Sequence, residues 1–285
     1  MTTATATPLV SQAAANPLPS LLRHVETEIK DFWRSIISLA FIVLMPIGFY
    51  VGFGFAFRAQ GGTVLEVGEH SLTQANLSYA GVLTFGMISV ALANVAIGLA
   101  IRRHHGIFRR LRTTPVRPWV VTTAYLVNGV LTAIVVVAAV TLLGTLALNV
   151  HVEPERVPAL LAALVLGFVC IAPLGTALSL LPPSADAAVP IINGIFFPLA
   201  FLSGAFMRLP LGEVGDAIVS YLPGAPLMTL VTSAVATSGP VWDARATWIL
   251  LAWGLAGAVV SLRFFRWTSE REPRGFSSQR RADAE

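Results

Sequence analysis

The side chains able to do chemistry are few, and their spacing argues against catalysis. The 285 residues include one lysine, Lys30, in the run Glu28-Ile29-Lys30-Asp31. A phosphate-binding loop needs its lysine directly after a glycine-rich turn, so no nucleotide site and no bound cofactor are predicted for this chain. His104 and His105 are adjacent; on a helix they point about 100° apart and do not share a face. His70 and His151 are isolated, and Glu153 and Glu155 share a short polar loop where hydration is the simpler reading, so no metal is expected. No Gly-x-Ser-x-Gly nucleophile turn occurs, and Cys170, inside an apolar run, reads as a small buried hydrophobe. Inside the apolar runs a coupled carrier would have only Asn94, Asn128, Asn193 and a few Ser and Thr hydroxyls to work through, which allows sodium coupling but suits protons poorly. The chain is not expected to be an enzyme.

The elements that carry these residues must sit in lipid. Hydrophobic residues make up 55% of the chain and charged residues 12%, and mean hydropathy is +0.74. A soluble domain carries roughly 25% charged residues, so there is too little polar surface to clothe a water-soluble core. An all-α polytopic membrane protein is the expected fold. Nucleic acid is excluded as a partner, because the excess arginines lie in short segments between apolar runs.

A helix needs about 20 apolar residues to cross a bilayer. Uncharged stretches place six spans at about 35–57, 77–101, 119–148, 158–181, 188–207 and 246–267. Ala217 to Trp242 is also uncharged, but Pro223, Gly224 and Pro226 divide it. Neither half reaches bilayer length, so a re-entrant hairpin between the fifth and sixth spans is predicted. With six spans and the amino terminus inside, 15 of the 19 basic residues are cytoplasmic, against Arg58, Arg156, Arg208 and Arg245 outside. A seventh span would move the arginines of the carboxyl tail outside, against the positive-inside rule. Residues 1–17 read as a disordered cytoplasmic tail and 268–285 as a basic cytoplasmic tail. Between 18 and 34, Leu18, Leu22, Val25, Ile29 and Phe32 recur every three or four residues among charges. That is an amphipathic interfacial helix, acting as a plain anchor or in partner docking.

The segment between the second and third spans asks for more than lipid contact. It reads Arg102-Arg103-His104-His105-Gly106-Ile107-Phe108-Arg109-Arg110-Leu111-Arg112-Thr113-Thr114-Pro115-Val116. Ile107, Phe108 and Leu111 make one apolar face of a short helix, which Pro115 must end. An apolar knob with a basic rim suits insertion into a groove on a soluble partner.

Gly106 to Val116 resembles the cytoplasmic loop of ABC type-2 transporter permeases, specifically their drug-resistance-type branch. Ile107 stands where Thr is usual, and His104 and His105 where acidic residues are frequent. Phe201-Leu202-Ser203-Gly204-Ala205-Phe206 with Leu209-Pro210 resembles the family's Leu-Ser-Gly-x-x-Phe-Pro, and Tyr221 to Leu227 its Leu-x-Pro-Leu element. The resemblance implies that Gly106, Ile107, Phe108, Arg109, Leu111, Arg112, Thr113, Thr114 and Pro115 couple to a separate soluble ABC ATPase, which holds the ATP and magnesium. It implies an outer gate or substrate path near Asn193, Phe196, Phe197, Ser203, Gly204 and Pro223. Two alternatives stay open there: Ser203 and Gly204 gate or merely pack, and the phenylalanines line a path or face lipid. The implied assembly is an exporter in a bacterial plasma membrane, in which two copies or sister permeases pair. Its cargo is an amphipathic small molecule, drug or lipid. Lipid-linked polysaccharide export, or a non-transport membrane enzyme or assembly factor, is the alternative.

Overall fold

The computed structural model describes residues 17–34, 44–56, 63–67, 69–107, 118–206 and 211–264. Both expected tails lie outside these residues, apart from Pro17, and so does loop 108–117. The expected first span is described only over its second half, as helix α2 (Met45–Ala56).

Five described helical stretches are long and apolar enough to cross a membrane: Gln74–His104, Thr122–Ala147, Pro154–Leu178, Ala185–Leu202 and Ala244–Phe264. Ahead of them, α1 (Pro17–Arg34) packs along α5 (Pro118–Ala147). Along the apolar stripe of α1 burial rises toward its end: Leu22 is exposed, Val25 and Ile29 are half-buried and Phe32 is buried, whereas Arg23, Glu26, Lys30 and Arg34 are exposed. Lys30 Nζ reaches Glu26 Oε1 at 2.5 Å one turn back, and this ammonium holds the Glu26 carboxyl below its ordinary range.

A two-stranded antiparallel hairpin, β1 (Val64–Val67) and β2 (His70–Thr73), is the one non-helical element among the described residues, paired Val64 to Thr73 and Val67 to His70. Residues 71–73 lie just ahead of the span expected at about 77–101; all three pair in the sheet, and Thr73 ends it. The Thr73 hydroxyl accepts from Asn76 N at 3.1 Å, capping the following helix as threonine commonly does.

That helix is the axis of the fold. It runs as α3 (Gln74–Ile88), a π-helical stretch Ser89–Asn94, and α4 (Val95–His104). In its most apolar window 89% of the residues are buried, against 44% or less in the other spans. It is therefore surrounded by protein, and its many small residues fit that position: Ala80, Gly81, Gly86, Ala91, Ala93, Ala96 and Gly98. A π-turn inserts a residue into the helical ladder and shifts the carbonyls out of register. Two of the displaced groups, Ala91 O and Leu92 O, lie against Gly175 of α6 (Val157–Leu178), where an added Cβ would come within 2.7 and 2.8 Å of them.

Helix α10 (Ala244–Phe264) packs along α6. The approach is close because Gly254 and Gly257 have no side chains. A Cβ on Gly254 would stand 2.9 Å from Cys170 Cα, and one on Gly257 2.6 Å from Leu174 N. Small residues at this spacing are how helices gain contact in lipid, where burial from water supplies no force. Ser261 Oγ adds a hydrogen bond to Pro173 O at 3.0 Å. Helix α7 (Ala185–Leu202) starts at a Ser184 cap and packs on α4. After it, α8 (Gly212–Ser220) and α9 (Gly224–Val235) form a pair bent by 84°. Counted as one broken crossing, that pair would raise the described spans to six.

Gly175→Val should lower stability by about 1–3 kcal/mol, because the neighbours it would strike are backbone atoms that cannot swing aside. Gly194→Ala, on an α7 face with nothing within 4 Å, should be neutral or slightly stabilising. Thermal unfolding of the two purified variants in detergent gives the comparison.

Candidate functional site

The bundle has two chemically distinct ends. One carries Arg102, Arg103 and His104, where α4 stops; the other carries the β-hairpin.

At the arginine end, α4 stops at Gly106, whose φ of +68° is the left-handed conformation that glycine adopts without strain. Ile107 follows and is exposed. Phe108, Arg109, Leu111, Arg112, Thr113, Thr114 and Pro115 lie outside the described residues. The start of the loop is anchored on three sides. Arg102 Nη2 pairs with Glu28 Oε2 of α1, with little exposure of either side chain. The Arg102 guanidinium also lies 4.1 Å from the ring centroid of Tyr125 on α5, a cation–π contact. Arg103 Nη2 donates to Pro182 O at 3.1 Å, and His104 Nε2 lies 2.9 Å from the same oxygen, which ties this end to the α6–α7 turn.

The Tyr125 ring connects that end to the middle of the central helix. It lies over Gly98, where a Cβ would overlap its hydroxyl. The hydroxyl donates to Asn94, 2.8 Å from the backbone oxygen and 3.0 Å from Oδ1. Asn94 closes the π-helical stretch and leads into α4, so the Tyr125 hydroxyl is tied to the junction between the two. Glu28, Arg102, Tyr125 and Asn94 thus form a continuous contact chain from the surface helix into the bundle interior. Asn94 stood out in the sequence as a lone amide. Glu28, Arg102 and Tyr125 did not, because an acid, a flanking arginine and an aromatic at a span end are each ordinary.

Toward the hairpin end the chain breaks. Helix α7 stops at Ser203, whose hydroxyl donates to Ala200 O at 2.6 Å, and Gly204 turns the backbone at φ +81°. Ala205 O then lies so close to Gly81 of α3 that any side chain there would overlap it. Gly224, at the start of α9, sits beside Ser203, with its Cβ position 2.7 Å from Ser203 Cβ, and Pro223 before it is buried. The structure therefore brings Ser203, Gly204 and Pro223 together. Asn193 lies about three turns earlier on α7 and is only partly buried.

Phe196 and Phe197 belong to an aromatic cluster. Phe196 lies 5.3 Å from Phe85 and 5.0 Å from Phe197, and Phe206 lies 4.9 Å from Phe85, 5.1 Å from Phe49 and 5.0 Å from Phe201. Phe49 and Phe85 come from α2 and α3, a convergence that no short motif encodes.

The far end of α9 is held by side chains from elsewhere. A helix leaves its last carbonyls unpaired. Asn76 Nδ2 donates to Val235 O at 2.8 Å and to His151 O at 2.9 Å. Arg156, 8% exposed, donates to Ser233 O at 3.0 Å, Gly239 O at 3.1 Å and Glu153 Oε2 at 3.2 Å. A cation at a helix C-terminus also meets the negative end of its dipole. In the sequence Arg156 was only one of four arginines on the sparse side of the charge count.

A family model described as ABC-2 type transporter matches residues 21–214, and the chain belongs to that family. No curated protein matches it. The chain is accordingly a multi-pass membrane component of an ABC transporter, a permease that works with an ATPase partner and not a catalytic subunit. The matched region takes in both the loop start at Gly106 and the break at Ser203.

Arg156→Ala should leave Ser233 O and Gly239 O without their charged donor, a loss of about 1.5–3 kcal/mol. Hydrogen exchange should accelerate over residues 233–239 while the α6–α10 contact keeps its protection. Unchanged exchange there would contradict the anchoring role.

Proposed function

We propose that this chain is the transmembrane permease of an ATP-driven exporter, with the arginine end and both termini on the cytoplasmic side of a bacterial plasma membrane. Two such permeases, identical or sister subunits, pair, and a soluble ABC ATPase docks beneath each through Gly106, Ile107, Phe108, Arg109, Leu111, Arg112, Thr113, Thr114 and Pro115. ATP and magnesium belong to that partner. The observation that carries the reading is the anchoring of the loop start. Arg102 touches α1 through Glu28 and the π-helical segment through Tyr125, so a displacement of the loop acts on both without slack.

The two states of the permease would then be two packings of the central helix and the broken α8–α9 pair, biased by the nucleotide on the partner. Ser203, Gly204 and Pro223 form the hinge of the outer gate, and Phe196 and Phe197 border the route. An apolar aromatic lining and the lack of span-interior charge favour an amphipathic small molecule, drug or lipid as cargo. Trp33 and Trp248, near helix ends, are exposed on the bundle surface, which fits membrane-interface belts better than a polysaccharide channel.

Phe108→Ala and Leu111→Asp should abolish recovery of the ATPase with the tagged permease, while membrane insertion and yield stay at the parent level. Pull-down from detergent-solubilised membranes, with the P-loop protein identified by mass spectrometry, is the measurement. An undiminished ATPase complement on both variants would rule out docking through this loop.

A further inference from the structure

Helix α10 is the least enclosed of the five described spans, with 17% of its most apolar window buried. Its buried residues, Ala246, Leu250, Gly254 and Gly257, share one side. At about 100° per residue, Arg245, Trp248, Leu255, Val259 and Leu262 fall on the opposite side, and all five are exposed. From the hairpin end inward this face presents a guanidinium, an indole and then apolar side chains. A spanning helix meets lipid headgroups at its end and acyl chains along its length, with tryptophan favoured at the boundary. Trp248 to Val259 covers about 17 Å, roughly half of the ~30 Å hydrocarbon core. The face therefore follows the profile of a single leaflet.

The head of this face is built from two elements. Arg245 stands in the first turn of α10, where a cation meets the unfavourable end of the helix dipole, so the helix itself gives no reason for it. The guanidinium lies 5.4 Å from the ring centroid of Tyr221, at the α8–α9 turn, and Nη2 donates to the Tyr221 hydroxyl at 3.3 Å. Trp253 Nε1 donates to Tyr221 O at 2.6 Å, which holds the tyrosine turn against α10. Neither contact neutralises the arginine, and it forms no ion pair among the described residues. The nearby Asp243 carboxylate is turned to the helix end, where Oδ1 accepts from Ala246 N at 2.9 Å. A hydroxyl that accepts from Arg245 keeps its own proton to donate. Guanidinium N–H groups beside a hydroxyl donor match the oxygens of a phosphate.

We propose that this face of α10 binds an anionic glycerophospholipid. Arg245 and Tyr221 hold the headgroup phosphate, Trp248 lies beside the glycerol, and Leu255 and Val259 carry an acyl chain. A zwitterionic lipid fits less well, because its own ammonium already balances its phosphate. The site is on the outer surface of the bundle, so it goes beyond the permease reading and does not depend on it.

The test places the full chain in phosphatidylcholine nanodiscs and adds brominated phosphatidylglycerol or brominated phosphatidylcholine at rising mole fraction, since bromine quenches the tryptophans it touches. The signal of the site is the part of the quenching that Trp248→Phe removes. For that part, phosphatidylglycerol should reach half-quenching at an about fivefold lower mole fraction than phosphatidylcholine, equal to about 1 kcal/mol. Arg245→Gln, at an exposed position, should make the two lipids equal. Tyr221→Phe, which keeps the ring and loses the hydroxyl, should reduce the preference. Glycerol 1-phosphate, a headgroup without chains, should leave the quenching unchanged. Equal quenching by both lipids in the parent chain, an unchanged preference in Arg245→Gln or Tyr221→Phe, or displacement by glycerol 1-phosphate, which would mark a site for free anions, would each overturn the proposal. So would a Trp248 that neither lipid quenches, which would show the face covered by a second copy of the chain. None of these outcomes bears on docking of the ATPase, so the two readings fail separately.

Discussion

A polypeptide in lipid has no water to satisfy its backbone, so a helix that stops inside the bundle must find partners for its free carbonyls and N–H groups. Much of this structure follows from that constraint. The chain breaks after α7, bends by 84° between α8 and α9, and enters a π-helical stretch inside its most buried helix. The break after α7, the π-helical stretch and the far end of α9 are each met by a side chain. Ser203 turns its hydroxyl back onto Ala200 O, Asn76 and Arg156 meet the end of α9, and Tyr125 meets Asn94. Glycine does the complementary work where backbones crowd: Gly175 admits the π-helical carbonyls and Gly81 admits Ala205 O.

The same logic ties the two ends of the bundle together. Arg102 is amphipathic enough to lay its stem along the helix end while its head group pairs with Glu28 and covers Tyr125. Because the tyrosine hydroxyl serves the central helix and its ring serves the arginine, neither contact can shift without the other. At the hairpin end, Ser71 O accepts from Thr237 N at 2.8 Å and the Ser233 hydroxyl meets His70 Nε2 at 3.1 Å. The short sheet thus braces the far end of α9. Between these two clamps lies the aromatic cluster around Phe85, joined by contacts that carry no directional bonds and can slide.

The membrane class, the helical fold and the break at Pro223 were legible in the sequence because each is a local signal: a run of uncharged residues, or a proline and glycine inside one. The family was legible through Gly106 to Val116 and Ser203-Gly204 for the same reason. The hairpin was hidden because Ser71-Leu72-Thr73 is uncharged and merges with the span that follows. Arg156 was hidden because a loop arginine and a buried helix-terminus donor look alike until α9 is seen above it. Tyr125, Phe49 and Phe85 acquire meaning only from contacts between residues far apart in the chain.

The central claim is that the arginine end and the hairpin end face opposite sides of the membrane, with the arginines inside. It is tested most directly by placing single cysteines at Gly106 and at Glu69, with Cys170 replaced by alanine, and treating cells with a membrane-impermeant maleimide. The account predicts that the cysteine at 69 is labelled in intact cells and the one at 106 only after permeabilisation. Labelling of position 106 from outside intact cells, with position 69 protected, would contradict it.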